Sequence, residues 1–233
     1  MGVRRPQRGG VADRPAPRIL IVCTGNVCRS PAAELVLKHM LGPGGAGYDI
    51  SSAGISARNG APIDPIVRDM LYARGVDASG FASRRLTCDM LEAADLVLTA
   101  STDNRASVVR ALPARVHSTL TLKQLARYAP YITSRAEMPS NPTERITWLL
   151  DSLPGVRATG RRRAGRSDSV PDPIGRSRRR YRSSIDEITA ACLAIAPLLG
   201  SLGSAATPNP DGIEWKGPDG STGSHGDVES AAL

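Results

Sequence analysis

A single α/β domain, built as a small four-stranded parallel sheet flanked by helices, is the fold this sequence predicts. Three observations point to it. The run Ile19-Leu20-Ile21-Val22 is continuously apolar and rich in β-branched residues, the pattern of a strand buried on both faces. Strand-like and helix-like segments then alternate along the chain, the order of repeated βα units. Tyr181, Ile185, Ile188, Cys192, Ile195 and Leu199 fall at alternating spacings of four and three, one apolar stripe along a closing helix.

Taken in order, the first strand gives way to a loop and then a helix. Ser30 can cap that helix, Pro31 suits its first turn, and Leu35, Val36 and Met40 share a face. A second strand is expected from Tyr48 to Ile55. Asp64-Pro65 opens another helix, which turns Ile66, Val67, Met70 and Leu71 inward and closes at Gly75. Asp95 to Ala100 reads as the third strand, and Val116 lies in a weaker candidate for the fourth, between helices around Asn104 to Ala111 and Leu120 to Ala129. Ile146, Leu149, Leu150 and Leu153 predict a short amphipathic helix, and the Gly- and Arg-rich stretch from Gly155 to Ser169 reads as a mobile loop. Residues 1–17, rich in Arg, Pro and Gly, and residues 201–233, rich in Gly, Ser, Pro and Asp, read as disordered tails around a domain at 18–200.

The 233 residues suffice for one well-filled core and tails. Hydrophobic residues make up 41% and aromatics only 3%, so the core must be aliphatic. Thirty Lys and Arg against 22 Asp and Glu leave a formal charge of +8, which favours anionic partners. No stretch approaches the roughly 18 consecutive apolar residues of a membrane span, and the N-terminus lacks the apolar region of a signal peptide, so a cytoplasmic location is expected. The four cysteines, Cys23, Cys28, Cys88 and Cys192, form no dense disulfide framework. Cys23 and Cys28 are spaced as a zinc pair, but structural zinc takes four ligands and the remaining Cys and His residues supply no companion pair. Cys88 and Cys192 read as buried small hydrophobes.

The chemistry sits between the first strand and first helix, in Cys23-Thr24-Gly25-Asn26-Val27-Cys28-Arg29-Ser30-Pro31. Open α/β sheets bind ligands at this end of their strands. A loop curling into a helix points successive backbone N–H groups inward, and the helix N-terminus adds partial positive charge, so the segment is a phosphate-binding cradle. Gly25 permits backbone geometry that a Cβ resists, and Asn26 tolerates the left-handed conformation. Cys23 starts the cradle, where the same positive field favours a nucleophilic thiolate. Arg29 ends it with a planar fork for two phosphoryl oxygens, a role lysine cannot fill.

A cysteine, five intervening residues and then Arg-Ser-Pro, directly after an apolar strand near the N-terminus, resembles the low molecular weight protein tyrosine phosphatase family. Further echoes are Ser51-Ser52-Ala53-Gly54 by the second strand, Arg84-Arg85-Leu86-Thr87 before the third, and Val170-Pro171-Asp172-Pro173-Ile174-Gly175 before the last helix. The resemblance implies that Cys23 attacks phosphorus, that Asp172 is the general acid, and that Thr24 to Cys28 and Ser30 line the phosphate site. It implies that Ser30 hydrogen-bonds the departing thiolate and that Asn26 and Ser52 hold the loop in shape; it also suggests that Cys28 traps oxidised Cys23 as a disulfide, beside the alternative that Cys28 merely packs. No metal or cofactor is implied, and the partner is a phosphorylated protein. A turn role for Asp172 is the bland alternative, and a binding-only cradle is the rival function. The arginines at 161–163, 166, 176, 178–180 and 182 lack interleaved aromatics, which argues against nucleic acid and for a solvated basic face that steers phosphorylated substrates. Three positions depart from the family pattern. Phe81 stands where many relatives carry His, Ile174-Gly175 where aromatics often wall the substrate ring, and Val27 where phosphoarginine-directed relatives carry Thr.

Overall fold

The computed structural model describes residues 16–42, 47–133, 138–158 and 167–200. Of the disordered tails expected at 1–17 and 201–233, residues 1–15 and 201–233 lie outside the described residues, whereas Pro17 is buried and accepts from Asp49 N at 3.0 Å. Four strands, β1 (Arg18–Cys23), β2 (Asp49–Gly54), β3 (Leu96–Thr99) and β4 (Thr119–Thr121), form one parallel sheet in the order β2-β1-β3-β4. Seven helices accompany them among the described residues: α1 (Arg29–Leu41), α2 (Pro65–Tyr72), α3 (Cys88–Ala93), α4 (Thr102–Ala111), α5 (Leu122–Thr133), α6 (Pro142–Ala158) and α7 (Arg178–Leu199).

β1 is central because its apolar run has a use on both faces. Ile19 and Ile21 enter a large core under α1, α2, α5, α6 and α7, whereas Leu20 and Val22 enter a smaller one with Val97, Leu91 and Val108. All four side chains are buried, at about 2 kcal/mol each for full burial. The largest fully buried side chains are Ile, Leu and Met, the aliphatic core that the scarcity of aromatics requires. Every residue of the α7 stripe is buried. Asp64 caps α2, accepting from Ile66 N at 2.9 Å and Val67 N at 3.4 Å, with Pro65 at the first helical position. Gly75, at φ 72°, ends the helix with a Val76 N to Leu71 O bond.

Several expectations are corrected. Val116 follows a 3-10 turn at Pro113–Arg115, and the fourth strand lies further on at Thr119–Thr121, so the helix expected from Leu120 begins at Leu122. That strand buries two threonines because the Thr119 hydroxyl donates to Arg115 O at 2.7 Å and the Thr121 hydroxyl accepts from Gln124 N at 3.0 Å. α6 extends through Gly155 to Ala158, so the expected loop starts later; residues 159–166 of it lie outside the described residues. Its far end is pinned, with Asp168 ion-paired to Arg127 and accepting from Gln124 Nε2 at 3.1 Å. α3 was not expected; Thr87 caps it through Met90 N, and Cys88, its first residue, is exposed rather than buried.

Candidate active site

β1 delivers Cys23 to the floor of the loop, and α1 begins six residues later at Arg29. Asn26 is the single non-glycine residue with positive φ among the described residues, at 51°, and it is fully buried. Its side chain explains the conformation. Nδ2 donates to Ser30 Oγ at 2.9 Å and to Ser52 Oγ at 2.8 Å, while Oδ1 accepts from Arg84 N at 2.7 Å. One amide thus ties the loop to α1, to β2 and to the segment before α3. The loop's backbone adds Asp64 N to Val27 O at 2.8 Å.

Cys23 Sγ, 2% exposed as a residue, accepts from Ser30 Oγ at 3.0 Å and from Asn26 N at 3.2 Å. Ser30 is therefore not a helix cap as expected; Cys28 occupies the cap position without a side-chain bond, and the Ser30 hydroxyl serves the sulfur. Cys28 is buried too, and its thiol is pushed far above the ordinary cysteine value by burial first, then by Asp64, Asp172 and Cys23, with Arg29 opposing. A thiol held protonated is a poor nucleophile. All four cysteines are unpaired thiols.

The glycine the loop depends on most lies outside it. Gly25 is not among the positive-φ glycines, and a Cβ there would meet only Val27 Cγ2 at 3.7 Å. At Gly54, the β2 residue in register with Cys23, a Cβ would fall 2.7 Å from Thr24 O, 2.8 Å from Asn26 N and 2.9 Å from the Ala57 Cβ, distances that atoms do not tolerate. The backbone requirement assigned to Gly25 thus belongs to Gly54. Ile55 N to Cys23 O at 3.0 Å and Ser56 N to Thr24 O at 2.9 Å hold the loop against this strand end.

Arg29 is buried at the rim, where Nη1 donates to Val170 O at 3.4 Å and Nη2 pairs with Asp172. Asp172, its side chain 45% exposed, is thereby brought across 143 residues of sequence to the cradle. Val27 is half-buried against the larger core, Thr24 is exposed at the mouth, and Ile174 is exposed beside Asp172. Phe81 packs against the larger core and makes no polar contact to the loop, whose support comes instead from Asn26, Ser52 and Arg84. Tyr181 OH donates to Asp64 Oδ2 at 3.0 Å, and burial followed by that bond pushes its hydroxyl up to about 12. Sequence reasoning did not single out Asn104, Arg84 as a backbone donor, or Tyr181 as a partner of Asp64. All three act across the fold, without a local signal.

A loop at the end of a central parallel strand, with a buried thiol at its floor and a guanidinium at its rim, is the arrangement of the cysteine-dependent phosphatases. The family model described as low molecular weight phosphotyrosine protein phosphatase matches residues 18–144. The chain belongs to that family. Asp172 lies beyond the matched residues. Over 145 residues, 61% of this chain and 97% of the relative, it is 33% identical to a probable low molecular weight protein-tyrosine-phosphatase, EpsP, of Ralstonia nicotianae. It is also 34% identical to a protein-arginine-phosphatase of Geobacillus stearothermophilus, over 46% of this chain and 70% of that one. The solved YwlE arginine phosphatase from the same organism superposes with TM-score 0.57 at 25% identity, covering 78% of this chain and 91% of that one. The tyrosine phosphatase Wzb from Escherichia coli K30 shares the fold at TM-score 0.57 and 20% identity, covering 78% and 98%.

Proposed function

We propose that this chain is a protein tyrosine phosphatase that hydrolyses phosphotyrosine and aryl phosphates through a phosphocysteine at Cys23. The observation that carries the reading is the Cys23 sulfur at the cradle floor, bonded by Ser30 Oγ and Asn26 N, with Arg29 and Asp172 paired above it. An arriving phosphate competes with Asp172 for the Arg29 fork, and the carboxyl it displaces is free to carry the proton the leaving oxygen needs. Sulfur attacks phosphorus as the ester oxygen departs with that proton. Asp172 then takes a proton from water, which attacks the phosphocysteine and releases phosphate and the thiolate. Ser30 Oγ, already 3.0 Å from the sulfur, stabilises the charge that returns to it. Thr24, Gly25, Val27 and Cys28 complete the cradle, and Ser52 supports it through Asn26.

The substrate is a phosphorylated protein, and the exposed arginines from Arg176 to Arg182 flank the acid segment where they attract one. Among the described residues no helix is long and apolar enough to cross a membrane. A cytoplasmic site of action is part of the proposal, supported by a mechanism that needs Cys23 reduced; cell fractionation tests it.

Cys23→Ser should abolish turnover while vanadate still binds, and normal turnover by that variant would sink the mechanism. Asp172→Asn should lower turnover by roughly two to four orders of magnitude for poor leaving groups and less for nitrophenolate. A second reading, protein arginine phosphatase, is favoured by the arginine phosphatases among the relatives. Val27 offers only apolar contact where a hydroxyl would serve a guanidinium, so phosphotyrosine should be preferred by at least about tenfold in kcat/KM. Val27→Thr should narrow the ratio. A wild-type preference for phosphoarginine would exchange the first reading for the second.

A further inference from the structure

Asp172 lies on an extended segment outside any helix or strand, yet the proposed chemistry needs its carboxyl held at a fixed distance from Cys23. Arg29 cannot set that distance alone, because phosphate takes its fork. The junction of β3 and α4, the turn at residues 100–101 together with the first residues of α4 up to Asn104, reaches both partners. Towards the nucleophile, Ala100 N donates to Val22 O at 2.8 Å, and the Asn104 Nδ2 donates to Thr24 Oγ1, on the residue after Cys23, at 3.2 Å. Towards the acid, Val170 N donates to Ala100 O at 2.8 Å, Thr102 N donates to Ser169 Oγ at 3.0 Å, and the two hydroxyls of Thr102 and Ser169 lie 3.2 Å apart. The turn is itself stiffened where Ser101 Oγ, the cap of α4, accepts from Asn104 N at 3.1 Å. Asn104 is buried, and its Oδ1 is without a partner among the described residues. A buried unpaired acceptor is costly, so asparagine is an expensive residue here unless its donor half is needed.

We propose that this junction is the brace that sets the separation of acid and nucleophile, with Ser169 and Asn104 as positioning residues acting through the acid segment and through Thr24. Lys123 and Ser184 also bond the acid segment, at Ser169 O and Pro171 O, but neither contacts the cradle. Ser169 is half-buried and its hydroxyl touches no proposed reacting atom, so its effect must pass through Asp172. The inference rests on the phosphocysteine reading above, with Asp172 as the acid.

The test measures kcat/KM, which reports the first phosphoryl transfer, with phenyl phosphate and with 2,4-dinitrophenyl phosphate, whose leaving group needs no proton. Ser169→Ala should lose about tenfold on phenyl phosphate and under about threefold on the dinitrophenyl ester, since a misplaced acid affects only the step that uses it. Ser169→Thr should restore activity to within about twofold. Asn104→Ala, acting on the nucleophile side, should lower both esters alike by about tenfold. Equal losses on the two esters for Ser169→Ala, failure of threonine to rescue, or full activity of Asn104→Ala overturns the brace. Asp172→Asn in the same series separates the two claims. If its loss depends on the leaving group while that of Ser169→Ala does not, the brace alone fails; if its loss is equal on both esters, the acid assignment fails and the brace with it.

Discussion

Replacing Asn26 with alanine isolates the residue on which the cradle's shape most depends. Three hydrogen bonds disappear, to Ser30 Oγ, to Ser52 Oγ and from Arg84 N, all between 2.7 and 2.9 Å. At about 1 kcal/mol net each, these sum to about 3 kcal/mol. A Cβ-bearing residue without a polar side chain must then hold φ near 51°, at a further cost of about 1 kcal/mol. Asn26→Ala should therefore unfold about 4 kcal/mol more easily in urea, and its melting temperature should fall by about 8–16 °C at this domain size. Asn26→Gly removes the same bonds but restores conformational freedom, so it should be the more stable variant by about 1 kcal/mol. An alanine variant within about 1 kcal/mol of wild type would refute the role of the amide, given the bond values used. A glycine variant less stable than alanine would refute the backbone argument.

Arg29→Lys keeps the charge and loses the fork, so kcat/KM on p-nitrophenyl phosphate should drop by about 10²–10³; a loss under tenfold would reduce the arginine to a point charge. Burial raises the Asp168 carboxyl, but hydrogen bonds from Arg127 and Gln124 and the charges of Arg127 and Lys123 outweigh it and hold it below its usual value. A depressed carboxylate contributes stability above its unfolded value, about pH 4, and loses it as pH falls through the folded one. The urea midpoint of wild type should accordingly fall more between pH 7 and pH 3 than that of Asp168→Asn, and parallel falls would contradict the clamp. A maleimide should label the exposed Cys88 in the native protein and reach Cys192, which is 0% exposed, only after unfolding. Peptide mapping that finds Cys192 labelled first would contradict the packing of α7.

Much of the fold was legible because the strongest signals were local. β1 announces itself by a short, β-branched run apolar on consecutive positions, which suits a strand covered on both faces, and α7 by a single apolar stripe. The loop and Asp172 could be picked out because cysteine, arginine and acid follow in order along the chain, but the pairing of Arg29 with Asp172 is not written there. What escaped depended on tertiary partners. Thr119-Leu120-Thr121 does not read as a buried strand until Arg115 O and Gln124 are known to satisfy its hydroxyls. Ser30 looked like a cap because serine at a helix start usually is one; here the sulfur of Cys23 competes for the hydroxyl and takes it. Cys88 reads as a small hydrophobe, yet α3 is a six-residue helix that buries only Leu91. Asn104 carries no signal in sequence because its partner, Thr24, lies 80 residues away.

The close approach at Gly54 bears on transplanting this site. The curvature of the segment from Cys23 to Ser30 is moulded against a bare patch of the neighbouring strand, where a single methyl would collide with Thr24 O, Asn26 N and Ala57. Grafted into another parallel sheet, the nine residues from Cys23 to Pro31 would carry the reactive groups without the mould. A recipient strand bearing alanine opposite the cysteine would push the Thr24 carbonyl outward and open the ring before any phosphate arrived. A graft meant to keep the cradle's shape must therefore import the hydrogen atom at position 54 together with the loop.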